Sequence, residues 1–288
     1  MTYLTYASPL PPAPPAPPLR RIDAAAACQP ASVDCAWEQV RELALRLAAR
    51  EPLLRPMLDE LILPHDSPAG LLAAVLAHRL GARDMRPAVL RPLFEDILST
   101  QPRILASITA DLAAIAQRDP ACPDGLHALL NLKGFHALQT YRMAHHLWTA
   151  GRSEAAFALS SHAASVFGID IHPAARIGAG IMLDHGSGIV IGETAVVDDN
   201  VSILQNVTLG GTGKEHGDRH PKIRSGVMLG AGAKILGNIE IGAMSKVAAG
   251  SVVLRDVPAH CTVAGIPGRI VRYHQADSLP AFEMDQML

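Results

Sequence analysis

The sequence predicts an α+β protein, an N-terminal α-helical domain followed by a parallel β-helix, and two observations carry that prediction. The first is a change of composition along the chain. Only nine of the 134 residues from Cys35 to Gly168 are Val or Ile, against 20 of the 87 from Ile171 to Val257. Glycine rises as well, from five residues before Phe167 to 18 from Gly168 onward. Helix formers yielding to β-branched residues mark a boundary near 168–170. The second is that an aliphatic residue returns every six positions beyond that point, a period that suits neither an α-helix nor an isolated amphipathic strand.

In chain order, residues 1–33 come first. Seven of the 22 prolines fall within residues 1–18, a composition that favours solvated polyproline II and reads as a disordered extension. Residues 34–168 form the predicted α-helical domain. Apolar residues recur at helical spacing over 37–50, 104–119 and 135–148, and Ser67 followed by Pro68 is the signature of an N-cap and a first helical position. No glycine-rich phosphate loop or nucleophile elbow occurs there.

Residues 169–272 carry the repeat. The aliphatic positions are 171, 177, 183, 191, 197, 203, 209, 223, 229, 235, 241, 247 and 253, and ten of the twelve steps are six residues long. A short strand plus a tight turn fits this period, with one aliphatic side chain pointing inward per unit. Stacked coils then bury a column that no single unit could bury alone. The last stretch, 273–288, reads as a flexible tail.

Composition excludes several classes of function. The 288-residue chain, 49% hydrophobic and 18% charged, is long enough for a sizeable core. A net charge of −2 supplies no basic field for nucleic acid or anionic lipid, and 4% aromatic residues leave few stacking platforms for single strands. Four cysteines (Cys28, Cys35, Cys122, Cys261) form no CxxC pair, so neither a disulfide scaffold nor a thiolate zinc site is expected. With no run of 18 uncharged apolar residues and no basic-then-apolar leader, a cytoplasmic protein without a membrane partner is expected.

The two irregular steps hold the chemistry. An insertion of two residues lies in LDHGSGIV, with Asp184 and His185, and one of eight lies in the stretch GGTGKEHGDRHPK (210–222), with Arg219 and His220. Asp170 opens the first unit just upstream. A regular coil needs no cluster of imidazoles and carboxylates, so these residues destabilise it unless paired or used. Acyl transfer to an alcohol needs a base active near neutral pH, a carboxylate behind it, and donors for the oxyanion. His185 with either Asp170 or Asp184 could supply the first two. His172 reads as structural, His216 as a solvated loop residue, and the histidines of the helical segment as packing or surface groups.

The hexapeptide pattern resembles the left-handed β-helix of the hexapeptide acyltransferases, which implies the left hand and trimers with acyl-CoA sites between subunits. The motifs DIHPAARIGAGIMLDHGSGIVIGETAVV, SILQNVTLGGTGKEHGDRHPKI and GVMLGAGAKILGNIEIG, with RDPACPDGLHALLNLKGFHALQTYRMAHHLW before them, are similar to serine O-acetyltransferase. That resemblance implies transfer of acetyl from acetyl-CoA to L-serine, with no metal. By motif position it implies His185 as general base and Asp170 as its orienting carboxylate. Asp119 and Asp184 would take the serine ammonium, and Arg219 and His220 the carboxylate across a subunit boundary. Gly211, Thr212, Ala231, Gly232, Lys246 and Arg269 would line the CoA site. The resemblance further implies a homo-oligomer (a trimer or a dimer of trimers) and L-cysteine as feedback inhibitor. It also implies a complex with O-acetylserine sulfhydrylase through the C-terminal tail, which ends here in Leu288 where the family commonly has isoleucine.

Three other readings are open at this level. Homoserine or a sugar could be the acceptor alcohol. A γ-type carbonic anhydrase would need three imidazoles on zinc, for which His185, His216 and His220 are the candidates. A non-catalytic assembly protein would need none of these residues.

Overall fold

A computed structural model describes residues 33–288 apart from 214, 215, 276, 286 and 288. The proline-rich stretch, save Val33, and Leu288 lie outside the described residues. The chain from Ser32 to Leu288 forms one compact unit.

Eight helices come first: α1 (Val33–Arg50), α2 (Arg55–Leu61), α3 (Pro68–Leu80), α4 (Pro87–Thr100), α5 (Pro102–Arg118), α6 (Gly125–Asn131), α7 (Lys133–Thr149) and α8 (Ser153–Phe167). The Ser67 hydroxyl accepts the Gly70 N–H at 3.1 Å, the expected N-cap of α3. Residues 71–77 of α3 are all buried, which makes it the central helix of the bundle. Gly168 ends α8 in the left-handed region at φ 68°, where a glycine carries no Cβ penalty, and the strands begin two residues later.

The six-residue units fold as short parallel strands that stack into three sheets. The first sheet contains β1 (Asp170–Ile171), β4 (Val190–Ile191), β7 (Thr208–Gly210), β10 (Lys234–Leu236) and β13 (Val252–Val253). The second contains β2 (Arg176–Ile177), β5 (Val196–Val197), β8 (Lys222–Ile223) and β11 (Glu240–Ile241). The third contains β3 (Met182–Leu183), β6 (Ser202–Ile203), β9 (Met228–Leu229), β12 (Lys246–Val247) and β14 (Cys261–Gly265), and the antiparallel β15 (Gly268–Tyr273) closes it as a hairpin.

The register follows the repeat. Ile171 pairs with Ile191, Ile191 with Leu209, Leu209 with Ile235 and Ile235 with Val253. All thirteen positions of the aliphatic column therefore land on strands, and each of those side chains is buried except the half-buried Ile177. The insertions become excursions at the prism edges. The short one falls between the third and first sheets, the long one between the first and second.

The three outer faces differ. Outward-facing residues of the third sheet (Met182, Ser202, Met228, Lys246 and Thr262) are buried. Helices α5 and α7 contact β3, and a short C-terminal helix α9 (Pro280–Glu283) packs on α5. On the first sheet Asp170 and Val190 are exposed. No described helix is long and apolar enough to cross a membrane.

Candidate active site

The candidate residues gather on two edges of the prism. At the edge between the third and first sheets, the excursion after β3 holds Asp184 and His185. His185 adopts φ 54°, a left-handed conformation uncommon for a residue with a Cβ, and its side chain is 72% exposed. Its Nε2 lies 3.8 Å from Asp184 Oδ1. Burial pushes the Asp184 carboxyl up; His185 pulls it down and the nearby Asp119 carboxylate pushes it up again. Asp119 ends α5, where its Oδ1 accepts the Ala121 N–H at 2.8 Å. Two carboxylates and an imidazole therefore share one field.

The neighbourhood of this corner is built by α5 and α7. Lys133 donates to Ser187 Oγ, and Gly134 rests against Leu183. Arg118, buried and adjacent to Asp119, donates to Gly180 O at 3.0 Å and Ser202 Oγ at 3.2 Å, and its guanidinium stacks on Phe282 at 4.3 Å. Asp111 accepts from Arg142 at 2.7 Å and from the Ile181 N–H at 2.9 Å, a buried ion pair that clamps the turn leading into β3. The sequence singled out none of these helix residues individually, because their partners lie on distant turns of the β-helix or on another helix.

Asp170 stands at the same end of the prism, on β1. Among the described residues no hydrogen bond joins it to His185, and its charge acts instead on His172. The His172 Nδ1 accepts the Ala174 N–H at 3.1 Å, and its ring packs on Trp148 and Phe157.

At the edge between the first and second sheets, the long excursion returns Arg219 and His220 to the turn after β4. Arg219 pairs with Glu193 at 2.7 Å, which holds the glutamate below its usual range. His220 is buried against Thr194, at 2.9 Å between Nδ1 and Oγ1, and burial followed by the Arg219 charge holds its pKa below that of free imidazole. Glu193 and Thr194 read in sequence as part of an ordinary unit, IGETAV. Their polar character in the turn that faces the long insertion was the available signal. His216 is exposed in the loop.

The comparisons with known proteins agree. A family model described as "Serine acetyltransferase, N-terminal" matches residues 36–140. The serine acetyltransferase of Salmonella typhimurium is 50% identical over 254 residues, covering 88% of this chain and 93% of that protein. The chain belongs to the serine acetyltransferase family. Among solved serine acetyltransferases, the soybean enzyme complexed with serine superposes with a TM-score of 0.82 at 50% identity, covering 84% of this chain and 100% of that one. The Brucella abortus enzyme in complex with coenzyme A gives 0.82 at 48% identity, covering 85% and 99%. A complex with cysteine gives 0.87 at 48% identity, covering 89% and 100%.

As a serine acetyltransferase, the protein moves the acetyl group of acetyl-CoA to the hydroxyl of L-serine, giving O-acetyl-L-serine and CoA. This identity decides against the carbonic anhydrase and assembly readings and against another acceptor class. Among the described residues no group of three His, Cys, Asp or Glu side chains is placed to hold a metal ion.

Of the six residues expected around CoA in this serine acetyltransferase, four are divided between the two edges. Ala231 and Gly232 lie on the edge of His185, two coils further along. A backbone ladder runs down that edge, with Asn206 N–H to Ser187 O at 2.7 Å, Gly232 N–H to Gln205 O at 2.8 Å and Gly250 N–H to Ala231 O at 2.8 Å. Gly211 and Thr212 lie on the edge of Arg219, and Arg269 sits exposed in the β14–β15 hairpin. Lys246 is buried on the third sheet, where its Nζ donates to the carbonyls of Asp285 (2.9 Å) and Met287.

Proposed function

We propose that His185 is the general base of the transfer. It takes the proton of the serine hydroxyl as that oxygen attacks the thioester carbonyl in a ternary complex, and the collapsing intermediate releases CoA. The observation that carries this reading is the exposed imidazole of His185 beside the Asp184 and Asp119 carboxylates. An imidazole suits proton transfer near neutral pH. Two carboxylates in one field suit the serine ammonium, whose cation offsets their mutual repulsion. Asp170 is the orienting carboxylate in this reading, engaging His185 once the ring turns toward β1.

Arg219 and His220 take the serine carboxylate, with the planar guanidinium offering paired donors. They lie one edge away from His185 in the same chain, so the complete site is shared between chains. The first sheet separates the two edges. A trimer packed through that face sets the 210–222 loop of one chain against the 184–188 corner of the next, and the exposed Val190 and Leu254 support such a contact. Exposed Leu45, Leu53 and Val89 on the helical layer suit the pairing of two trimers.

Small residues at 211, 231 and 232 let pantetheine approach the backbone along the shared edge, with Thr212 and Arg269 near its ends. Lys246 meets CoA phosphates once the tail carbonyls leave its ammonium. L-cysteine, with the ammonium and carboxylate of serine, competes at the same site. The C-terminal tail, once released from Ser202 and Lys246 of the third sheet, is the segment for O-acetylserine sulfhydrylase.

The test is CoA release from acetyl-CoA with L-serine, homoserine and a galactoside as separate acceptors, with and without chelator. Serine-dependent, chelator-resistant release suppressed by cysteine is expected. Release that requires another acceptor, or that chelator abolishes, would overturn the assignment.

A further inference from the structure

The turn after β4 holds His220 more tightly than packing alone requires. The Thr194 N–H points at His220 Nδ1 from 3.2 Å, and a backbone N–H can only donate. The Thr194 hydroxyl accepts the N–H groups of Arg219 and His220, each at 3.0 Å. Both of its lone pairs are thereby engaged, so its own hydrogen is shared between Nδ1, 2.9 Å away, and the Asp218 carboxylate. Nδ1 faces donors only, and the ring hydrogen must sit on Nε2. Among the described residues the hydrogen bonds of His220 fall on Nδ1, the backbone N–H and the carbonyl, and none falls on Nε2.

The rest of the seat is equally specific. A β-carbon on Gly192 would stand 2.1 Å from the His220 ring, so only glycine admits the imidazole there. Lys222 ties the end of the long loop down, donating to Thr194 O at 3.0 Å and His220 O at 2.6 Å.

We propose that Thr194 is a positioning residue for the serine carboxylate, locking His220 as a neutral imidazole that offers its Nε2–H beside the Arg219 guanidinium. The proposal rests on the reading that Arg219 and His220 receive that carboxylate. It adds that they do so as one cation and one directional neutral donor rather than as two cations. The charged groups facing His220 favour the neutral ring. Among the described residues, Arg219 and Lys222 oppose a second positive charge, His172 adds to them, and the carboxylate that favours it, Glu193, is engaged by Arg219 at 2.7 Å.

The variants Thr194→Val, Thr194→Ser and His220→Gln test this, each with KM for serine and for acetyl-CoA. Removing a hydrogen bond that orients a binding group costs roughly tenfold in affinity. Thr194→Val is expected to raise the serine KM about tenfold and leave the acetyl-CoA KM unchanged, and Thr194→Ser to restore the serine KM. Neutron diffraction from deuterium-exchanged crystals is expected to place deuterium on Nε2 and none on Nδ1. Deuterium on Nδ1, or an unchanged serine KM in Thr194→Val while His220→Gln raises it, would overturn the proposal and leave the carboxylate reading standing. An unchanged serine KM in His220→Gln would overturn both.

Discussion

A β-carbon on Gly134 would stand 2.1 Å from the carbonyl oxygen of Leu183, so the first turn of α7 is seated directly on the residue that precedes Asp184 and His185. The helical layer thereby sets the height of the Asp184–His185 corner. Gly134→Ala forces the helix or the corner to move, since the obstacle is backbone. Overpacking of this kind costs about 1–3 kcal/mol. The variant is expected to melt a few degrees lower and to lose kcat at saturating substrates by at least about tenfold. Thermal melts beside steady-state rates check it; a wild-type kcat would separate α7 from the chemistry.

The proposed site gives three carboxylates roles that separate kinetically. Asp119→Asn and Asp184→Asn are expected to raise the serine KM with the smaller effect on kcat, as loss of ground-state ammonium binding should. Asp170→Asn is expected to lower kcat at saturating serine, as loss of an orienting group should. Full serine titrations of the three variants distinguish these outcomes.

A site shared between chains predicts complementation. His185→Ala chains and Arg219→Ala chains are each expected to be nearly inactive alone. Mixed oligomers pair an intact corner on one chain with an intact loop on the next. Co-expression with two affinity tags, followed by assay of the doubly tagged fraction, is expected to recover a substantial part of wild-type activity. No recovery would place the whole site within one chain.

Acid stability follows from His136. Its Nε2–H donates to Leu129 O at 2.7 Å, and burial pulls its pKa down to about 4, against 6.5 for the free side chain. The folded chain therefore keeps this ring neutral where the unfolded chain protonates it. The contribution to stability is unaffected above pH 6.5 and is lost progressively as pH falls from 6.5 toward 4. Between pH 7 and pH 5 the loss is about 2 kcal/mol from this residue. Urea unfolding at the two pH values checks it, with His136→Gln expected to show the shallower dependence.

Much of the fold was legible because a hexapeptide period is a statement about geometry. Each of the thirteen aliphatic positions from Ile171 to Val253 became the inward residue of a strand, and both insertions became edge excursions. Ser67 capped its helix as its type demands. The candidate site was legible where residues interrupt the repeat, as at His185 and Arg219. It was illegible where a residue keeps the repeat or the helical pattern and acts through backbone. Asp111, Arg118 and Arg142 read as polar positions of amphipathic helices, yet each is buried on turn carbonyls or amides of the β-helix. Thr194 fills an ordinary turn position and shows its role only once the long loop returns over it. The separation of His185 from Arg219 onto two edges follows from the unit count once three strands make a coil, since the two insertions come after the third and the seventh strands.

The most direct test of the central claim is CoA release from acetyl-CoA at saturating L-serine by His185→Ala beside the wild-type enzyme. Loss of a general base predicts a fall of about 10²–10⁴-fold in kcat, with an intact melting profile. A His185→Ala enzyme that turns over at the wild-type rate would contradict it.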